Sequence, residues 1–519
     1  MNSARARYPT PTWRKSISST CTPADTTRRR APVPPDQEVK LMIASIARKE
    51  FSEIVRDGRF KWTAGIMALL LLTALAAGYQ KYSAYMDMQR LAQDQTNYQW
   101  FNQGDKNPHS GAHYGNYAFK PAGPLAFFDN GVNNYAGTAL FMEAHKQNFA
   151  IGRPATDQSS IGRFGDLSGA MILRLLMPLL IIFLGFTAFS GERESGTLRQ
   201  VLSMSVGNRQ LLWGKALGIG TAVVLVVGAC VLIGGLALSL TGLHAEGESL
   251  GLRVALMAAS YLLYAAIFLF LTLAVSAWAK NARTALMILV GFWAFVGFLA
   301  PKAASEISKV VHPTPAFGQW MADMRGHQMR GIDGVPPFVR FEQESQAIFA
   351  EYGAETVAEL PVYVGALRLQ KFEEYDFPVF EEHYGRLRDS YIDQRRLQDR
   401  LGVIAPTLPL RSLSMALAGT DLIRHIDFAD AAETYRRDMV TRINAYLGEA
   451  AASMNTGGGG VLVSDQEVFG IVPPFEFRSQ GLGATLDEHG GNLIALVVWL
   501  LASLGLALWA VRRLRVEQD

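Results

Sequence analysis

Few residues in this chain are typed and spaced for chemistry, and the most informative stretch is suited to docking rather than catalysis. Glu192-Arg193-Glu194-Ser195-Gly196-Thr197-Leu198 follows a long apolar run, Met171 to Phe189. Negative charge in the first turn of a short helix suits its dipole. Ser190 is placed to cap that helix, and Leu198, Val201 and Leu202 give it an apolar side. An acid-rich turn between apolar segments can offer charge to a polar partner outside the lipid. A capped, solvated loop would have the same composition, and charge and capping do not separate the two.

The other candidates are weaker. Met321, Met324, His327 and Met329 fall within nine positions, and thioethers beside an imidazole suit Cu(I). Apolar packing with a surface histidine explains them equally, so no metal site is assigned. His109 and His113 stand one helical turn apart, but Pro108, Gly111 and Gly115 argue against a helix there. Gly247-Glu248-Ser249-Leu250-Gly251 matches a nucleophile elbow as a string. An elbow needs a strand before the serine and a helix after it, whereas this match lies between two apolar segments. Gly457 to Gly460 read as a linker. There is no Gly-x-x-x-x-Gly-Lys-Ser/Thr and no His-Glu-x-x-His. The chain is therefore expected to be no enzyme and to bind no cofactor itself.

The elements that must position these residues are mostly membrane helices. The 519 residues are 49% hydrophobic and 18% charged, with the apolar ones clumped, which predicts an α-helical polytopic membrane protein. Segments 62–79, 170–190, 216–241, 253–278, 284–300 and 492–511 approach the roughly 20 apolar residues that span a bilayer. Net charge of +3 gives no case for nucleic acid, and Cys21 and Cys230 give no disulfide framework. Basic residues precede the first span (Arg48, Lys49, Arg56, Arg59, Lys61). They recur in the 191–215 loop (Arg193, Arg199, Arg209, Lys215), in the next such turn (Lys280, Arg283) and in the 512–519 tail (Arg512, Arg513, Arg515). The loop between the third and fourth spans has Glu246 and Glu248 but no Lys or Arg. The positive-inside rule then places both termini inside.

Ile43, Ile46, Ala47, Phe51 and Ile54 recur at helical spacing, so 42–61 reads as an amphipathic interfacial helix with Trp62 at headgroup level. Residues 1–41 read as a disordered basic tail or as sequence ahead of a true start at Met42. Arg174 is the one charge inside a span away from the span ends, and no Asp, Glu or His chain crosses the hydrocarbon. That disfavours an ion-coupled transporter. Small residues such as Gly214, Gly218, Gly220, Gly228, Gly234 and Gly235 crowd the third span. They fit a subunit interface or ordinary packing within the bundle.

The two long regions, 80–169 and 301–491, fall outside by this topology. The second is expected to be mainly α-helical, with stripes at Phe380, Tyr384, Leu387 and Tyr391 and at Tyr435, Met439, Ile443 and Tyr446. Val461 to Val463 and Phe475 to Phe477 could be short strands. Gly402 to Ile423 is apolar but holds Pro406, Pro409 and Arg411. It is read as a buried or interfacial piece of the outer domain, not a seventh span.

With Gly214-Lys215 entering the third span, the arrangement resembles the type-2 ABC transporter permeases. Those carry an interfacial helix, six spans and an acid-x-Gly-Thr-Leu signature after the second span. The resemblance covers about 43–300 and the last span. The large domain before that span resembles a branch related to multicopper-enzyme-maturation and gliding-associated permeases. The resemblance implies a permease subunit of an exporter, paired with a second copy or paralogue. A separate ATPase subunit would hold ATP and Mg and touch Glu192, Glu194, Gly196, Thr197 and Leu198. The alternative is a membrane-anchored interaction or assembly protein with the spans as scaffold.

Overall fold

The computed structural model describes residues 35–157, 167–204, 206–240, 250–456 and 462–514. The basic tail before Pro35, Glu246 and Glu248, Gly247 to Ser249, the 457–460 glycine run with Val461, and Arg515 lie outside the described residues. α1 (Pro35–Arg56) begins ahead of Met42. Proline suits the first helical turn, and no glycine or proline follows until Gly58. Asp57 then breaks the chain and accepts from the Arg59 amide, opening α2 (Gly58–Phe101).

α2 does not stop near 79. Its 44 residues extend about 66 Å at 1.5 Å per residue, twice the roughly 30 Å hydrocarbon thickness. No helix breaker occurs between Gly78 and Phe101, so the helix continues as a polar stalk. Beyond it come α3 (Pro108–Tyr114), β1 (Asn116–Phe119), the single turn α4 (Asn133–Ala136), β2 (Ala139–Met142) and the single turn α5 (Pro154–Asp157). β1 and β2 pair antiparallel, Asn116 opposite Met142. The stalk holds this hairpin through Gln93 and Thr96: the Phe119 amide donates to Gln93 Oε1, and Thr96 Oγ1 donates to Asn116 Oδ1.

The second crossing helix is α6 (Gly169–Gly185), carried through a turn into α7 (Ser190–Glu194). Then come α8 (Thr197–Ser203), α9 (Asn208–Leu240) and α10 (Leu250–Trp278). α11 (Ala282–Ala294) runs through a π turn at Phe295–Leu299 into α12 (Ala300–Val311). Pro301 has no amide hydrogen to continue the regular ladder there. α13 (Phe317–Arg330), α14 (Pro337–Glu351), α15 (Val364–Arg400), α16 (Thr407–Ala418) and α17 (Leu422–Ala450) build the helical domain before α18 (Leu482–Arg512). Among the described residues, six helices are thus long and apolar enough to cross a membrane, and the protein is an α-helical polytopic membrane protein.

α16, the segment at 402–423, lies buried against α10 and α18. Leu408, Leu410, Leu413 and Leu417 join the core formed by Leu173, Met257 and Tyr261. Arg253, at the start of α10 and buried, donates to the Ala416 and Leu417 carbonyls at the end of α16. Thr407 donates to the Val296 carbonyl in the π turn at 2.5 Å. These bonds fasten the helical domain to the spans. In that domain, Met439 and Ile443 pack with Trp100 and Phe469. Phe475 to Phe477 form no strand, and Ser464 makes only a single bridge, to Lys106.

Candidate functional site

The Glu192–Leu198 stretch folds as two short helices joined at Gly196, not as one. Gly196 sits at φ 75°, a left-handed conformation that glycine takes without steric cost. Ser190 does not cap α7: its hydroxyl donates back to the Phe186 carbonyl at 2.6 Å. The cap position is Phe189, and both the Phe189 and Ser190 amides donate to Ser276 Oγ on α10. Burial explains the difference. Ser190 is wholly enclosed, so its hydroxyl takes the nearest carbonyl.

Three consecutive charges then reach three different parts of the bundle. The Glu192 carboxylate accepts from Lys215 Nζ at 2.7 Å, and Glu50 of α1 accepts from the same ammonium at 2.6 Å. Lys215 is 1% exposed, so its charge depends on these two partners. Arg193 donates to the Ala277 carbonyl at 2.7 Å and to the Ala279 carbonyl, where α10 ends. Glu194 accepts from the Ala282 amide at 3.1 Å, in the first turn of α11, where negative charge meets the positive helix end. Leu198 is buried with Ile54, Phe189 and Leu211. Asn208, opening α9, donates to the Val511 and Leu514 carbonyls at the end of α18.

Two close approaches explain the glycines entering α9. A Cβ on Gly214 would lie 2.5 Å from Ile46, and one on Gly218 would lie 2.9 Å from the Ala47 carbonyl. α1 therefore packs flush along α9, and these two glycines serve packing within the chain. Gly220 and Gly228 meet no such backbone.

The five expected contact residues thus divide. Glu192 and Leu198 turn into the chain's own helices, Glu194 is exposed but bonded to the start of α11, and Gly196 and Thr197 are exposed. Arg199, Gln200, Ser203 and Met204 share that exposed surface. Spacing alone concealed the inward turn, because Lys215 and Glu50 are distant in sequence. The only signal was a lone lysine entering a span, which needs a carboxylate.

The Met321, Met324, His327 and Met329 set does not converge. Met324 is buried with Trp320, Val379 and Phe380, Met329 is exposed, and His327 Nδ1 lies 2.9 Å from His383 Nε2. Met329 lies five positions after Met324, which puts them on different helix faces.

The model of the ABC-2 family transporter proteins matches residues 44–515. The chain belongs to that family. It is similar to a probable ABC transporter permease protein NosY from Pseudomonas aeruginosa, 34% identical over 151 residues, 28% of this chain and 54% of that protein. A protein of the same description from Stutzerimonas stutzeri is 39% identical over 84 residues, 16% of this chain and 29% of that protein. The chain thus spans about half or less of the curated relatives it matches. The loop just described lies inside the matched region.

Proposed function

We propose that this permease transmits ATP-driven movement from a separate ATPase subunit into its spans, through α7 and α8, and that it exports its substrate. The observation that carries the reading is the Glu192-Arg193-Glu194 hub. Through it a rigid push on α8 would reach α1 and α9 by way of Lys215, α10 by way of Arg193, and α11 by way of Glu194. Packed polar contacts between helices can carry such coupling, and here they are the Lys215 ion pairs and the bonds from Arg193 and Glu194 to helix-end backbone. The docking surface is the exposed strip Gly196, Thr197, Arg199, Gln200 and Met204. Leu198, which is buried, and the bonded Glu192 and Glu194 hold that strip in place.

By this reading the strip faces the cytoplasm of a bacterial cell, and the helical domain lies beyond the plasma membrane. The basic residues Lys280 and Arg283 belong to the turn bonded to the hub, and Arg512 and Arg513 to the helix end bonded to Asn208 after α8, which supports that orientation. A second copy or a similar permease completes the pathway, and ATP and Mg are held by the ATPase pair.

The test is co-purification with an ATPase encoded beside this gene. Arg199→Glu with Met204→Glu is expected to lower association at least tenfold and leave the permease melting temperature unchanged. Undiminished association with intact ATP-driven transport would remove the strip from its assigned role.

A further inference from the structure

The geometry points to a transition-metal site of three imidazoles, His109, His113 and His145, in the helical domain, taking Zn²⁺ or another imidazole-preferring divalent ion. It lies apart from the loop and stands whether or not an ATPase docks there.

Four elements build it. Pro108, Gly111 and Gly115 do not prevent a helix. Pro108 occupies its first turn, and Gly115 ends it at φ 65°. A Cβ on Gly111 would lie 2.2 Å from the Phe469 ring, so glycine lets α3 seat against the core. His109 and His113 therefore share one face of α3. His145 comes from the loop after β2, with φ 65°, a conformation rare for a residue with a side chain. Glu373 of α15 fixes it there. One oxygen, Oε1, accepts both the His145 amide at 2.5 Å and His145 Nδ1 at 2.8 Å. Asn444 of α17 holds the buried His109 ring, its Oδ1 lying 2.8 Å from Nδ1. The Asn444 amide nitrogen donates to Gln370 Oε1, which orients Oδ1 toward the ring.

These partners decide the tautomers. A carboxylate and an amide oxygen only accept, so both Nδ1 atoms carry hydrogen. Both Nε2 atoms of neutral rings then present lone pairs, and they face each other at 3.1 Å. Two facing lone pairs need a positive charge between them.

The third ring completes the set. The three centroids stand 4.9, 5.0 and 5.0 Å apart. The ligand atoms of all three lie within 4.8 Å of one another. A tetrahedral ion with metal–nitrogen bonds of about 2.05 Å has nitrogen–nitrogen edges of about 3.3 Å. The His109–His145 pair already has that edge, and a small rotation of the exposed His113 ring would supply the third ligand. Glu373 and Asn444 are the outer partners that metal-bound imidazoles commonly have. Exposure of His113 leaves the fourth position open to solvent.

The test uses the purified full chain, stripped with chelator, loaded with Zn²⁺ and desalted. About one zinc per chain is expected, with His113→Ala and His145→Ala each lowering retention at least tenfold. Co²⁺ in place of zinc should give the intense visible bands of a four-coordinate site. Since His113 is exposed, its alanine variant folds even where His145→Ala does not, and circular dichroism checks this. Wild-type retention no greater than that of His113→Ala, or a Co²⁺ spectrum unchanged from the aqueous ion, would overturn the proposal and leave a proton shared by two rings.

Discussion

Two buried cations, each held by two carboxylates, do different work at the two ends of this permease. At the loop end, Lys215 joins Glu50 of α1 to Glu192 of α7 from its own place on α9. In the helical domain, Arg436 meets Glu433 on its own helix α17 through Nε at 2.7 Å and Nη2 at 2.9 Å. Its Nη1 reaches Glu373 on α15 at 3.2 Å. An ammonium is a compact charge on a flexible stem, and it keeps its partners through small shifts of direction. A guanidinium is a planar fork that fixes geometry. The first suits a joint where three elements must stay linked while moving. The second suits a packed wall that must not move, and Glu373 in that wall also sets His145. Burial opposes charge on Glu373, yet the His145 bond and Arg436 outweigh it and hold its carboxyl below the usual range.

The contrast can be broken most sharply at Arg436. Arg436→Met takes the shared cation from between Glu373 and Glu433, leaving the first only His145 and the second only Arg437, at a cost of about 3–5 kcal/mol. Chemical unfolding followed by the fluorescence of Trp100 and Trp320 should show the helical domain opening early. Arg436→Lys should rescue it only in part, since the fork is lost. An unchanged midpoint would mean that the pair is not a structural lock.

Lys215→Met comes next. Its carboxylate partners are 12% and 18% exposed, so water can reach them and the cost falls to about 2–3 kcal/mol. The loop end should become protease-sensitive near α8, and ATP-driven transport should fall further than ATPase association does. Association lost along with transport would make Lys215 a folding residue rather than a coupling one.

A pH series gives the smallest effect and separates the two ends. Burial, with Lys120 and then Arg153 nearby, lowers His425 of α17 from its usual value to about 3. The unfolded chain therefore binds a proton that the folded chain refuses between about 6.5 and 3, so stability rises with pH across that window and is lost as the pH is lowered through it. At pH 5 the loss from this group is about 2 kcal/mol. His425→Gln should flatten that part of the curve for the helical domain. An identical slope in the variant would show that other groups carry it.

Much of the plan was legible in the sequence. The six apolar runs stand out because a bilayer demands about 20 apolar residues in a row. Gly402 to Ile423 reads as buried but not spanning because Pro406, Pro409 and Arg411 interrupt it. The loop motif is legible as a string, but the direction of its side chains is not. Glu192 turns inward because of a lysine on α9, and Glu194 is held by the amide that opens α11. The histidine cluster was missed for two reasons. Pro108 and Gly115 were weighed as breakers when they are the two ends of a helix. His145 lies beyond a strand, where no periodicity relates it to α3.

The sequence by itself determined that this is a membrane protein of long apolar helices with a charged loop between the second and third. Hydrophobic length and charge placement are properties of the chain read in order. Which carboxylate meets Lys215, which face of α8 remains free, and whether three histidines share one point depend on distances between segments far apart in that order. Only the packing of α1 on α9, and of α3 and α15 on α17, decided those contacts.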